Sequence, residues 1–419
     1  MKINPSDIEI MAPAGNFESL MAALQAGANS VYFGVGHLNM RARSSINFTA
    51  EDLPKIVGLC NEHNVKTYLT LNTVMYDHDL PAMEKTIDAA AAAGISAIIA
   101  SDQAVVSYAH KQNVEVHLST QLNISNTESL KFYSQWADVA VLARELTLEQ
   151  VAKIAQNIDK QNIVGPSGNK IQLEIFAHGA LCMAVSGKCY MSLHQANSSA
   201  NRGACLQICR RSYTLTDNET GDELVVDNEY IMSPKDLCTI GFLNKILDAG
   251  VRVLKLEGRA RSPEYVKTVT QCYREAVEAI ADDTYTEDKI DGWKNRLSKV
   301  FNRGFWDGYY LGQRLGEWSK HYGSLATERK VYVGKITNFY SNLGVAELKP
   351  EASEISTNDK VLIIGPTTGV VELTAEDIRV DDKTVEQCPK GVKCSFKLPD
   401  IVRRNDKLYK VVKIDPNDL

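Results

Sequence analysis

Short apolar runs alternate with amphipathic stretches through the first 260 residues. Eight of these runs are strand-like: IEIM (8–11), SVYFG (30–34), KTYLTL (66–71), SAIIA (96–100), EVHLS (115–119), VAVLA (139–143), QLEIF (172–176) and RVLKLE (252–257). Between them lie helix-like stretches such as FESLMAALQAGA, EDLPKIVGLCNEHN, LPAMEKTIDAAAAAG and LTLEQVAKIAQNI. The Gly or Asn near the end of several of these suits a helix C-cap. Strands alternating with helices predict parallel βα units, and eight of them predict a (β/α)₈ TIM-like barrel. A doubly wound open sheet is the alternative.

Polar residues just past the strands favour the barrel. Arg41 and Arg43 follow the second strand, Asn72 the third, and Gln121 and Asn123 the fifth. Arg144, His178 and the pair Glu257 and Arg259 follow the last three. In a barrel these ends converge on one active site. Each residue alone reads as a cap or a solvated turn; their recurrence at one end predicts a shared pocket.

About seventy residues separate the seventh and eighth strands, far more than an ordinary connection. This excursion holds Cys182, Cys189, Cys205 and Cys209, with Cys238 following in SPKDLC. It also predicts a hairpin over SYTLTDNETGDELVVDN and a helix over CTIGFLNKILDAG. Two helical segments follow, PEYVKTVTQCYREAVEAIAD and KIDGWKNRLSKVFN, and then short strand-like runs begin at Lys330. The predicted division is a barrel with its cysteine-bearing insert over 1–275, a helical extension and linker over 276–329, and a small all-β barrel over 330–419.

Composition narrows the chemistry. Hydrophobic residues make up 44% and charged residues 23%, ordinary for a globular protein. The longest apolar run is far shorter than a membrane span, so no membrane partner is expected. The start MKINPSDIEI lacks a signal-peptide pattern, which predicts a cytoplasmic, reducing compartment. Thiols there are more often metal or cluster ligands than disulfides. The ligand set expected is Cys182, Cys189, Cys205 and Cys238, with Cys209 as the alternate because Cys205 and Cys209 form a C-x₃-C pair. Spacing leaves iron–sulfur and tetrahedral zinc equally open, with unligated thiols as the remaining alternative. Cys60 and Cys272 fall in helical patterns and read as small core residues. A net charge of −6 argues against indiscriminate nucleic-acid binding, but not against a local basic face.

The stretch from Glu174 to Arg211 resembles the signature of the collagenase-like peptidase family. The resemblance rests on Glu174, Phe176, Gly179, Cys182, Gly187, Cys189, Ser192, Gly203, Cys205, Cys209 and Arg210. MAPAGNFESLMAALQAGANSVYFG, SPKDLC, LKLEGRARSPEYV and FNRGFWDGYY are similar to further family segments. The resemblance implies an oxygen-independent hydroxylation protein with a [4Fe–4S] cluster on Cys182, Cys189, Cys205 and Cys238 and prephenate as co-substrate. It also implies tRNA as partner, with the wobble uridine converted to 5-hydroxyuridine. A peptidase, or hydroxylation of ribosomal RNA cytidine or a quinone ring, is the alternative.

Roles for single residues follow from charge and reach. A dicarboxylate such as prephenate calls for bidentate arginines, for which Arg41, Arg43, Arg144 and Arg259 are candidates. His178 or Glu257 would move a proton. Lys188, Arg202, Arg210, Arg211, Lys235, Arg252, Lys255, Arg259 and Arg261 give the cysteine region a basic surplus suited to RNA phosphates, or simply a solvated face. Tyr190 and Tyr213 are candidates to stack a base, with core packing as the plainer role. HExxH, GxSxG, a P-loop and the full dinucleotide fingerprint are all absent from the sequence.

Overall fold

The computed structural model describes residues 3–43, 47–221, 223–224, 230–313, 316–321 and 323–414. The βα units begin from recurring local chemistry. Asn16 accepts a hydrogen bond from Ser19 N at 2.8 Å to start α1 (Phe17–Gln25). Asn126 does the same for Ser129 N at the head of α5 (Thr127–Ser134). Thr147 and Gln150 form a capping box on α6 (Leu148–Gln161). Each cap satisfies amide donors that the helix itself leaves free. The other helices of the barrel layer are α2 (Leu53–Glu62), α3 (Leu80–Ala93) and α4 (Gln103–Lys111).

The barrel strands are β1 (Glu9–Pro13), β2 (Ser30–Phe33), β3 (Lys66–Leu71), β4 (Ala97–Ala100), β5 (Glu115–Leu118), β6 (Val139–Val141), β7 (Gln172–Gly179) and, as the eighth, β9 (Val253–Leu256). All pair in parallel, and β9 bonds to both β1 and β7, which closes the ring. That closure rules out the open-sheet alternative. Met11, Tyr32, Tyr68, Ala97, Ile99, Val139 and Val253 form a buried cluster of their own, the layered interior filling of such barrels.

The excursion adds β8 (Asp236–Cys238), which runs antiparallel along the end of β7, with Leu237 opposite Gly179 and Cys238 opposite His178. β10 (Phe305–Trp306) then pairs in parallel with β8. The helix expected from Cys238 onward is shorter than its apolar pattern suggests. Its first residue, Cys238, belongs to β8, and only α8 (Leu243–Asp248) is helical. Of the expected hairpin, Leu215–Thr216 pairs with Glu223–Leu224, while residues 222 and 225–228 lie outside the described residues. The excursion also carries the short α7 (Met191–Ala196), and the helices after the barrel are α9 (Pro263–Ala281) and α10 (Glu287–Lys299).

From Glu328 an antiparallel sheet is built on the long β11 (Glu328–Tyr340), which pairs with β12 (Val345–Pro350) and β16 (Lys407–Lys413). β13 (Lys360–Gly365) joins β16 and β14 (Gly369–Thr374), while β15 (Cys394–Lys397) joins β12. This sheet has its own core around Val333, Ile336, Ile363 and Phe396. It also seats Leu362, Ile364 and Val370 on the barrel core. Gln25 fixes the seat by donating to Thr368 O at 2.7 Å and accepting from Val370 N at 3.0 Å.

Candidate active site at the barrel mouth

A cavity of about 240 Å³ opens where the strands end. Its walls come from Thr70 and Asn72 at β3, Gln121 after β5, Arg144 after β6, Phe176 on β7, and Glu257 and Arg259 after β9. The excursion closes the open side with Leu181, Cys182, Met183, Cys189, Cys205 and Cys209. A small cavity with apolar walls and a few convergent polar groups is of the kind that can receive an organic ligand.

Hydrogen bonds tie the excursion down. Asn123 Nδ2 donates to Ser186 O at 3.1 Å, Ser198 Oγ to Ala204 O at 2.8 Å, and Leu206 N to Ser192 Oγ at 3.1 Å. Gly203 has φ +80°, and a Cβ there would stand 2.3 Å from Asn39 O. The cysteine loop therefore lies directly on the loop after β2.

Four cysteines line this cavity, but they are not the expected four. Cys182 is exposed, and Cys189, Cys205 and Cys209 are half-buried. Cys238 is a correction: β8 buries it behind the barrel end, beside Tyr273, and it lines no part of the cavity. Burial pushes its thiol up to about 11. Cys209, the alternate, takes the fourth place.

Cys182, Cys189, Cys205 and Cys209 lie near enough to act on one another's charge, as the ligands of one inorganic centre must. Burial pushes the Cys189 and Cys209 thiols up, and Arg210 partly offsets this at Cys209. Thiols held in the neutral form become ligands only when a cation drives off the proton. Among the described residues, no three His, Cys, Asp or Glu side chains form a group that could hold a single metal ion. Four thiolates on one zinc need all four sulfurs gathered within ~2.3 Å of one point; a cluster, with each sulfur on its own iron, takes a wider set.

The arginines divide into spent and unspent. Arg41 Nη2 meets Glu257 Oε1 at 2.7 Å, and Tyr32 OH donates to Glu257 Oε2 at 2.9 Å. Burial alone would raise the Glu257 carboxyl, but the charge and hydrogen bond of Arg41, helped by Arg259 and Tyr32, hold it down at about 2. Glu257 is thus a fixed carboxylate rather than a proton donor near neutrality. Arg259, 4% exposed, donates to Thr70 Oγ1 at 2.7 Å and Asn39 Oδ1 at 3.0 Å. Burial lowers its guanidinium to about 10. Lys255 is paired with Glu174 Oε1 at 2.8 Å, both buried. Arg144 Nη2 donates to Ala184 O at 3.3 Å, while its buried Nε has no partner. Arg210 holds Pro234 O at 2.5 Å and Leu181 O at 2.6 Å. Asn72 accepts from Met40 N at 3.2 Å, and Gln121 from Ser119 Oγ at 3.1 Å.

Three further expectations are corrected. Arg43 is exposed and lies outside the cavity lining, because the loop after β2 turns it to solvent. Arg202 does not face the cavity; it clasps Asp79 with two bonds at 2.6 and 3.2 Å and stacks on Tyr76 at 4.0 Å. His178 is 2% exposed, boxed by Tyr265, Tyr273 and Phe305, and absent from the lining. Burial lowers its imidazole to about 3, so it stays neutral inside an aromatic shell and has no route to a substrate proton.

Sequence reasoning missed Tyr32, Asn39, Thr70 and Arg303. Tyr32 and Thr70 hide inside apolar strand runs, and Asn39 reads as an ordinary loop residue. The RGFW segment that carries Arg303 offered a usable signal, since it sits inside a family-like stretch.

Residues 15–320 match the model of peptidase family U32. The chain belongs to this family. The U32 segment ends before β11 and spans the cysteine excursion and the cavity. The chain is 60% identical over 411 residues to a protein named collagenase from Porphyromonas gingivalis, covering 98% of this chain and 99% of that one. It is 30% identical over 387 residues to tRNA hydroxylation protein P1 of Bacillus subtilis, covering 89% and 87%. It is 31% identical over 390 residues to a 23S rRNA 5-hydroxycytidine synthase of Escherichia coli, covering 90% and 56%. Relatives in the U32 family thus carry both peptidase and RNA-hydroxylation names. Among the described residues no helix is long and apolar enough to cross a membrane.

Proposed function

We propose that this U32 protein hydroxylates RNA, converting a tRNA wobble uridine to 5-hydroxyuridine with prephenate as the dicarboxylate co-substrate. The observation that carries the reading is the meeting of four cysteines and a cation-rich metabolite cavity at one barrel mouth. A [4Fe–4S] cluster held by Cys182, Cys189, Cys205 and Cys209 would supply redox or Lewis-acid chemistry there. The protein's own residues orient and bind. Glu257 fixes Arg41 at the cavity wall, Arg144 presents a cationic edge to a carboxylate, Arg259 adds positive charge while held by Thr70 and Asn39, and Phe176 and Leu181 exclude water from the ring of the co-substrate. The exposed Tyr190, next to Cys189, offers a stacking face to an unpaired base.

The collagenase name of the 60% identical relative favours a peptidase as the second reading. A cysteine peptidase needs a thiol within hydrogen-bond reach of a base. Among the described residues no cysteine is hydrogen-bonded to a histidine; His178 is sealed away and His194 is exposed on α7. Mass spectrometry of tRNA nucleosides from a deletion strain separates the readings. Loss of 5-hydroxyuridine, restored by the intact gene, supports hydroxylation. An unchanged nucleoside profile sinks it. Anaerobic purification with iron and sulfide analysis tests the cluster directly.

A further inference from the structure

The cavity is unbalanced in charge. Six arginines and one lysine line it against a single carboxylate, Glu257, among the described residues. Glu257 is matched by Arg41 and Glu174 by Lys255, which leaves the side around Arg210, Arg261 and Arg303 in surplus. Asp236 and Glu257 both act on Arg261 by charge, but among the described residues neither lies within ion-pair reach of it; Asp236 pairs with Arg303 at 3.4 Å and Glu257 with Arg41. Buried or half-buried cations without counter-charge are costly, so this corner is built to receive an anion.

Arg261 is the group prepared to receive it. Its guanidinium carbon lies 3.5 Å from the centroid of Phe301, and that of Arg303 lies 5.0 Å from the same ring. Stacking holds the plane of a guanidinium and leaves its N–H edge free. Among the described residues no side chain or carbonyl accepts from the Arg261 guanidinium, whereas Arg210 and Arg259 have spent donors on Leu181 O, Pro234 O, Thr70 and Asn39. A lining guanidinium with a fixed plane and an open fork suits one planar carboxylate, bound bidentately.

We propose that Arg261, braced by Phe301 and flanked by Arg303, is the anchor for one carboxylate of a small dicarboxylate bound in the cavity. This rests on reading the cavity as a dicarboxylate site and adds the residue that selects for it. The apolar walls (Ile99, Val141, Phe176, Leu181) favour an organic body over inorganic phosphate. RNA phosphate shares the anionic chemistry and is separated by the test.

Succinate serves as probe, titrated calorimetrically into the anaerobically purified full chain, with inorganic phosphate and a short single-stranded RNA as parallel arms. The wild type binds succinate. Arg261→Gln weakens it at least 30-fold, Arg261→Lys recovers only part because the fork is lost, and Phe301→Leu weakens it several-fold with the charge intact. RNA affinity in these variants stays within a factor of two. Circular dichroism and bound iron confirm that each variant is folded, and Phe301→Leu carries the test if Arg261→Gln does not fold. No succinate binding by the wild type, or equal binding by Arg261→Gln, overturns the proposal. A loss of RNA or phosphate affinity without loss of succinate also overturns it, by making Arg261 a phosphate contact. Succinate binding through Arg261 alongside unmodified tRNA would sink the proposed function and leave this anchor standing.

Discussion

Cys238 lies opposite His178 across the antiparallel junction of β8 and β7, and neither residue lines the cavity. The pairing turns both side chains into a buried aromatic layer with Tyr273. Cys209 instead shares the cavity with Cys182, Cys189 and Cys205. Cys209→Ser is therefore expected to lose most of its bound iron, while Cys238→Ser keeps near wild-type iron and pays only a packing cost of about 1–2 kcal/mol. Iron and sulfide per chain after anaerobic purification check this. The reverse pattern would return the fourth ligand to Cys238.

The aromatic box around His178 gives stability a pH dependence. Its imidazole titrates at about 3 in the folded chain, against ~6.5 when unfolded. The unfolded chain therefore binds the proton first, so stability holds above pH 6.5 and declines as pH falls toward 3. Between pH 6.5 and 5 the loss attributable to this one group is about 2 kcal/mol. Urea unfolding of the wild type and His178→Phe at both pH values isolates it. Equal slopes in the two proteins would mean that His178 takes up its proton as readily in the fold as in the unfolded chain.

Arg259 reaches Thr70 and Asn39 only because residue 34 has no side chain. A Cβ on Gly34 would stand 2.6 Å from Arg259 Nη1 and 2.6 Å from Asn39 Cγ. Gly34→Ala forces the guanidinium off its two partners and leaves a buried cation short of acceptors. The expected cost is about 1–3 kcal/mol of stability, together with weaker succinate binding, since the displaced side chain intrudes on the cavity. Thermal unfolding and calorimetry read both effects.

The barrel was legible because eight apolar runs of strand length recur between capped helices. Burial of β2, β4 and β9 along their whole length leaves that mark in any sequence. The position of Cys238 was not legible. Its segment reads as the start of an apolar helix, and only the antiparallel pairing with β7 decides which side of the barrel end the sulfur occupies. Likewise Arg202 and Arg261 look alike in sequence, both basic and close to the cysteines. What separates them is the partner: Asp79 from the β3 loop uses up one fork, and Phe301 leaves the other open. Contacts between residues so far apart in the chain have no local signature.

Arg202 offers the sharpest contrast between a structural and a nucleic-acid role. Asp79 is 4% exposed and accepts from Arg202 twice and from Tyr76 N at 2.8 Å. The Arg202 hydrogen bonds, with the Tyr76 amide, hold its carboxyl at about 2, against the opposing effect of burial. Arg202 also donates to Val74 O at 3.0 Å, and Val74 N bonds Asn201 O at 3.1 Å. The excursion is thereby pinned to the loop after β3. Arg202→Gln takes the cation from a buried carboxylate that keeps the Tyr76 amide and His78, a loss of about 1–3 kcal/mol, and loosens the segment leading to Cys205, so bound iron falls as well. A phosphate contact would behave in the opposite way: weaker RNA binding, a shallower salt dependence and unchanged stability. Chemical unfolding, iron content and RNA affinity measured on the one variant decide between the two, and the clasp on Asp79 predicts that the first two change and the salt dependence of RNA binding does not.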